Sequence, residues 1–253
     1  MGNKKLWIIN WVGAALALLV VSDIACYAQV GISAREKKRN EVPIDQLMQR
    51  LESPKRIEMM QPERVLALFE GREGEIIADV GAGTGFFSFR QASRVGPQGK
   101  VYAVEIEDKL LDYIGKKMAE EKVTNISLIK STETDPNLPS GSCDKIMVFG
   151  SYYYFPEPIE FMKNVRKALK TGGLVAVIDL DKDKVFAHRK TSGKKEKDYA
   201  LKVKTKSAVV EEMKIAGFVL RESHDFLARR FFMIFSVDDE AISEVDKSQP
   251  LEK

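Results

Sequence analysis

IIADVGAGTGFFSF, Ile76 to Phe89, is the stretch on which the reading of this chain turns. Ile76, Ile77, Ala78 and Val80 form a short apolar run that carries one acid, Asp79. The run breaks at Gly81, Ala82, Gly83, Thr84 and Gly85, and an apolar helical pattern resumes at Phe86. A buried strand, a glycine turn and a helix start together cradle a nucleotide-sized ligand. Glycines let the ligand approach the backbone, and a helix N-terminus carries N–H groups with no intrahelical partner. The glycines are spaced G-x-G-x-G, so the third falls one residue earlier than in the G-x-G-x-x-G dinucleotide fingerprint. An acid two residues ahead of the first glycine favours a ligand with a positive or hydroxyl-bearing part over a pyrophosphate.

Outward from this turn, strand and helix patterns alternate. Phe86 to Val95 reads as a helix stopped by Gly96 and Pro97, and Lys100 to Ile106 as a second strand ending in Glu105. Asp108 to Glu121 is helical, with Leu110, Leu111, Ile114 and Met118 on one face. Ile126 to Ile129 and Cys143 to Phe149 read as the third and fourth strands. The pattern of Pro156 to Lys170 predicts a helix closed by Thr171-Gly172-Gly173, with Leu174 to Leu180 as a fifth strand. A helix over Ser207 to Ala216 leads into two strands, Phe218 to Glu222 and Arg230 to Val237. This order predicts a Rossmann-like α/β fold: a seven-stranded, mostly parallel sheet with helices on both faces and a C-terminal antiparallel hairpin. Ligands on such sheets bind beyond the carboxyl ends of the strands. Ahead of the sheet, Val42 to Leu51 is helical, and Pro62 opens a second helix with Val65, Leu66, Leu68 and Phe69 as its apolar face.

The expected organisation is a signal peptide or membrane anchor over 1–30, a linker and leading helix over 31–60, a domain over 61–238 and a polar tail over 239–253. Lys4 and Lys5 precede an apolar stretch from Leu6 to Val21, and small residues lead to Ala28, the pattern of an exported chain. An uncleaved anchor is the alternative, and the basic residues on both flanks leave its orientation open. Charged residues make up 30% of the 253 and hydrophobic ones 44%, a folded rather than a disordered composition. A net charge of +3 gives no strong nucleic-acid signal. Two cysteines and two histidines exclude a disulfide framework and argue against a metal site. The segment from Asp181 to Lys206 is rich in lysine and is expected as a solvated loop, able to steer an anionic partner.

DVGAGTG at Asp79 to Gly85, Glu105 at a strand end, DKIMVFGSYYYFPEP from Asp144, LKTGG from Leu169 and EEMKIAGF from Glu211 occur in a fixed order. Together, from Val65 to Val237, they resemble the class I S-adenosylmethionine-dependent methyltransferases, in particular the small-molecule branch that includes the ubiquinone and menaquinone methylating enzymes. The resemblance implies S-adenosyl-L-methionine as cofactor and a small or lipid-like methyl acceptor. It assigns Asp79, Gly81, Ala82, Gly83, Thr84 and Gly85 to the amino-acid part of the cofactor. Glu105, followed by Ile106, falls where the ribose lies, and a carboxylate accepts from both ribose hydroxyls. Thr132 and Glu133 match the adenine-contacting loop, where the family more often has an Asp and a small residue. Tyr152, Tyr153 and Tyr154 stand where members often carry a histidine. They either line an acceptor pocket or cap the sheet, and no catalytic base is assigned. Met59, Met60 and Gln61 either pack the core or line the cofactor pocket. Two rivals remain: a non-catalytic cofactor-binding module at a membrane surface, and a nicotinamide-dependent oxidoreductase, which rests on the glycine turn alone.

Overall fold

Short apolar runs between turns become strands buried on both faces. Four of the five residues of β1 (Ile76–Val80) are buried, as are the last four of β4 (Cys143–Phe149). The computed structural model describes residues 42–187 and 203–238. The described residues divide into two units between Gln49 and Arg50. The described part of the first, from residue 42, leads into helix α1 (Ile44–Leu51). The remaining helices are α2 (Pro54–Met60), α3 (Pro62–Phe69), α4 (Phe86–Val95), α5 (Asp108–Glu121), α6 (Pro158–Ala168), α7 (Lys182–Ala187) and α8 (Lys206–Ile215). With β2 (Lys100–Glu105), β3 (Ile126–Lys130), β5 (Leu169–Leu180), β6 (Phe218–His224) and β7 (Arg230–Val237), the strands form one sheet in the order β3-β2-β1-β4-β5-β7-β6.

β3, β2, β1, β4 and β5 run parallel, and β7 inserts antiparallel between β5 and β6. The expected α/β fold is the one observed. Alternate residues of each strand feed different cores. Ala78, Val80, Ile146, Val148, Val175 and Val177 meet α6 and α8 through Phe161, Met162, Val165, Val209 and Met213. Met147, Phe149, Ala176 and Ile178 meet α3 and α4 through Val65, Leu66, Phe69 and Phe87. Ile77, Val101 and Ala103 meet α4 and α5 through Ala92, Val95 and Ile114. Burying each such aliphatic side chain contributes roughly 1.5–3 kcal/mol, so the sheet is held as a rigid platform for the loops at its carboxyl edge.

Several expected boundaries move. The helix before β5 ends at Ala168 rather than Lys170, and β5 starts at Leu169. Leu169 pairs with Cys143 and Leu174 with Lys145, so residues 170–173 bulge out of the ladder. The Lys170 ammonium closes that bulge on the Asp144 carboxylate at 2.6 Å. Pro54–Met60, absent from the expected elements, is a helix with Pro54 in its first turn. Leu68 points outward at 40% exposure, because Val65, Leu66 and Phe69 complete the buried stripe of that short helix. In the basic segment the Asp181 carboxylate accepts from the Asp183 N–H and starts α7, whose Val185 packs on Leu180 and Val203. The rest of that segment (188–202), the N-terminal leader or anchor and the polar tail 239–253 lie outside the described residues. No helix among the described residues is long and apolar enough to cross a membrane.

Candidate active site

At the carboxyl edge of β1 and β2, Glu105 anchors the site. Its carboxylate is 4% exposed and accepts from the peptide N–H of Gly83 at 2.9 Å, Ile106 at 2.7 Å and Glu107 at 3.1 Å. One acid therefore ties the glycine turn to the β2–α5 corner. The geometry is fixed before any ligand arrives, the condition for tight polar recognition. Ser131 N–H, at the end of β3, bonds the Glu105 carbonyl at 3.1 Å and brings the third strand end to the same edge.

The turn needs glycine for two different reasons. Gly81 has φ +76°, and a Cβ there would lie 2.4 Å from Cβ of Ser151, whose hydroxyl donates to the Val80 carbonyl. That position packs β1 against the β4 exit. Gly83 has φ +59°, and a Cβ there would meet nothing nearer than a Leu51 methyl at 3.8 Å. Its missing side chain leaves room above the turn.

The N–H groups expected to meet a ligand are largely committed elsewhere. Gly81 and Ala82 both donate to the Val104 carbonyl, Gly83 donates to Glu105, and Gly85 donates to Ala82. Ala82 and Thr84 are themselves buried.

Asp79 lies beneath this turn, 3% exposed, with the Ser88 hydroxyl of α4 donating to it at 2.6 Å. Burial raises its pKa to about 6; the Ser88 bond opposes that rise and the nearby Glu105 charge adds to it. Asp79 thus orients the turn and the start of α4, and it ionises more readily when a cation sits above it. Ser88 escaped the motif reading. Its only signal in the sequence is a hydroxyl inside the otherwise apolar FFSF run.

The other expected residues fall on neighbouring edges. Ile106 is half-buried and acts through its N–H on Glu105. The Thr132 hydroxyl accepts from the N–H of Asp135 at 2.9 Å and of Thr134 at 3.3 Å, so it shapes its own loop, with Glu133 half-buried inside it. The three tyrosines form a single 3-10 turn and part company. Tyr152 is 1% exposed in the core, and its hydroxyl donates to Glu212 of α8 at 2.9 Å. Tyr153 is half-buried against Leu180 and Val185, its ring 4.0 Å from that of Tyr154, which is 52% exposed. Met60 is buried in the core with Phe69 and Phe86. Gln61 ties α3 to the β6–β7 connection by donating to the Phe226 carbonyl at 3.3 Å.

Asp179 and Arg230 were not foreseen. Asp179 is buried at the end of β5 and accepts from the Leu180 N–H at 2.6 Å and the Tyr153 N–H at 3.2 Å. Burial raises its pKa to about 6 against the N–H bonds and the positive charge of Arg230. The Arg230 guanidinium lies 5.6 Å from the ring centre of Phe149, at the end of β4. Aromatic rings and a buried acid therefore stand beside the glycine turn, across the β4–β5 exit.

Two further polar atoms belong to the segment ahead of the sheet. Glu52 Oε1 and Arg56 Nε are buried and find no hydrogen-bond partner among the described residues. A Leu51 methyl lies 3.8 Å from where a Cβ on Gly83 would be, and Arg56 Nη2 lies 4.0 Å from where a Cβ on Gly150 would be. A pinned carboxylate for a diol, a buried acid beneath the turn and an unpartnered guanidinium nitrogen beside Gly150 fit S-adenosylmethionine, which offers hydroxyls, an ammonium and a carboxylate.

A parallel sheet with an antiparallel seventh strand inserted beside the fifth, and a G-x-G-x-G turn, defines the class I S-adenosylmethionine-dependent methyltransferase architecture. The strand order matches the 3-2-1-4-5-6 order of dinucleotide-binding domains as far as β5 and departs from it in the antiparallel β7 beside β5, which does not favour the nicotinamide alternative. The comparisons agree: residues 72–222 match the family described as a methyltransferase domain, and the chain belongs to that family. An aklanonic acid methyltransferase from Streptomyces sp. strain C5 is 29% identical over 113 residues, 45% of this chain and 51% of the relative. A demethylmenaquinone methyltransferase from Listeria monocytogenes is 25% identical over 117 residues, 46% of this chain and 49% of the relative. This chain thus aligns with about half the length of the curated relatives it matches. The crystal structure of a SAM-dependent methyltransferase from Aquifex aeolicus superposes with a TM-score of 0.66 at 25% identity, covering 78% of this chain and 100% of that one.

Proposed function

We propose that this protein is an enzyme that transfers a methyl group from S-adenosylmethionine to a small or lipid-like acceptor entering beside Tyr153 and Tyr154. The observation that carries the reading is Glu105, a buried carboxylate fixed by three peptide N–H groups at the end of β2, next to an open glycine turn. The cofactor supplies a methyl group on a positively charged sulfur, already activated for displacement. The chain has to hold the reactants in line and keep water out. Glu105 fixes the ribose, Asp79 holds the turn, and Phe149 with Tyr153 gives the acceptor an apolar wall. Tyr154, its ring 4.0 Å from that of Tyr153 and 52% exposed, extends that aromatic surface outward. Relatives named for aklanonic acid and demethylmenaquinone support a small-molecule acceptor. The apolar stretch Leu6–Val21 supports a placement at or across a membrane, exported or anchored, which protease access in intact cells tests.

Tyr152 is not assigned as a base: its hydroxyl is committed to Glu212, and burial with that carboxylate raises its pKa far above the ordinary phenol value. The test is a thermal-shift titration with S-adenosylmethionine, followed by labelled-methyl transfer to a panel of phenolic, quinone and lipid acceptors. Stabilisation by cofactor and label in one acceptor class are expected. The absence of any shift at millimolar cofactor would refute the assignment.

A further inference from the structure

We infer that Arg56 of α2 is the counter-charge for the carboxylate of the cofactor's amino-acid part, and that this residue sets the preference for the intact cofactor over its truncated nucleoside. The inference rests on the cofactor reading above.

It begins with where an anion can be held. Helix N-termini and glycine turns usually hold anions through free N–H groups. Here the N–H groups of Gly81, Ala82, Gly83 and Gly85 are all spent inside the protein. The start of α4 already faces a carboxylate, because the Ser88 hydroxyl and N–H both serve Asp79. Glu105 adds a second buried acid within the same turn. A third carboxylate laid on this turn would meet two acids and few donors. The ammonium of an amino acid suits the place; its carboxylate needs a cation from another element.

Arg56 is placed to be that cation. Order along the edge runs from the end of β3, through Glu105 on β2 and the turn after β1, to Gly150 after β4. With the ribose at Glu105 and the amino-acid part along the glycine turn, the free end of the ligand points towards Gly150. The Arg56 guanidinium is 4.0 Å from the Cβ position of that glycine. Arg56 forms no hydrogen bond or ion pair among the described residues, and its Nε is buried without an acceptor. A buried polar atom left unpaired is costly and calls for a partner that arrives with a ligand. A carboxylate meets a guanidinium through two parallel hydrogen bonds, which satisfies the orphan and fixes the end of the chain.

The experiment compares two ligands on the full chain by isothermal titration: S-adenosylhomocysteine, which has the carboxylate, and 5′-methylthioadenosine, which lacks the amino-acid part. Arg56→Ala is expected to weaken S-adenosylhomocysteine by about ten- to a hundredfold, the range of a charge-assisted hydrogen bond, and to leave methylthioadenosine within about twofold, a change well under one such bond. Arg56→Gln keeps the stem and should show the same selective loss, so the test stands if the alanine variant folds poorly. Equal weakening of both ligands, or of neither, overturns the assignment while leaving the cofactor reading intact. Failure of the unmodified protein to bind either ligand overturns both.

Discussion

Asp79 makes a quantitative demand on the fold. Its carboxyl is 3% exposed, and its pKa moves from 3.8 to about 6 on folding. Above pH 6 the folded state must hold a charge that the unfolded chain holds more easily, and the difference is about 3 kcal/mol. Between about pH 4 and 6 the folded state binds the extra proton, so this group's contribution to stability declines as pH rises through that window. Asp79→Asn removes the titration and keeps the shape, and its amide oxygen still accepts from Ser88. Any cost of placing the amide is independent of pH, so the informative quantity is the change in the variant-minus-wild-type difference with pH. Without cofactor, that difference should shift in favour of the variant by about 2.4 kcal/mol between pH 4 and pH 7.5, because part of the full difference is already expressed at pH 4. At about 2–4 °C per kcal/mol for a domain of this size, melting temperatures should diverge by about 5–10 °C. Thermal melts at half-unit pH steps on the cofactor-free protein measure it. Parallel curves for the two proteins would refute the reasoning, and with it the claim that Asp79 is held against its charge. For the wild type, cofactor affinity should also rise as pH increases through about 6, because an ammonium above Asp79 favours the ionised acid.

Glu105→Gln cannot accept N–H bonds from both sides, since its NH₂ must face either Gly83 or the Ile106–Glu107 pair. It should lose about 1–3 kcal/mol by urea titration and bind S-adenosylhomocysteine at least tenfold more weakly; unchanged affinity would remove it from the ribose site. Gly81→Ala combines positive φ with a Cβ 2.4 Å from Cβ of Ser151, so soluble yield and melting temperature should fall sharply. Tyr152→Phe breaks the bond to Glu212 and should cost about 1–3 kcal/mol in stability. Methyl-transfer kcat should stay near wild type once an acceptor is known.

The regular elements could be read because their apolar periods are strong. Phe86–Val95, Asp108–Glu121 and Cys143–Phe149 have the same limits in the structure as in the sequence pattern. Boundaries failed where tertiary pairing overrode local preference. LKTGG reads as a helix end, yet Leu169 already pairs with Cys143, and Lys170 closes on Asp144. The candidate site is half legible in the sequence. Asp79, the glycines and Glu105 announce themselves because their chemistry is compressed into a turn and a strand end. Ser88, Ser151 and Asp179 did not, because their roles depend on partners 9, 71 and 26 residues away in sequence. Tyr152 looked like its two neighbours until the 3-10 turn sent it into the core.

The division of labour within the cofactor edge follows from the accounting of N–H groups. The glycine turn gives space and shape, while its own donors hold β1, β2 and Glu105 together. In the proposed site, charge recognition comes from side chains on separate elements: Glu105 from β2, Asp79 from β1, and Arg56 from a helix that precedes the sheet. The two acids are fixed in the sheet, whereas Arg56 rides on a seven-residue helix that begins at Pro54. A short helix is marginal without tertiary contacts, and its arginine gains its partner only when the ligand's carboxylate is present. With Arg56 as the proposed counter-charge, ligand binding and the seating of α2 are coupled, each favouring the other: S-adenosylhomocysteine should protect the amides of Ile57–Met60 from hydrogen exchange, and 5′-methylthioadenosine should not. Equal protection by both ligands would place the coupling in the nucleoside and detach Arg56 from it.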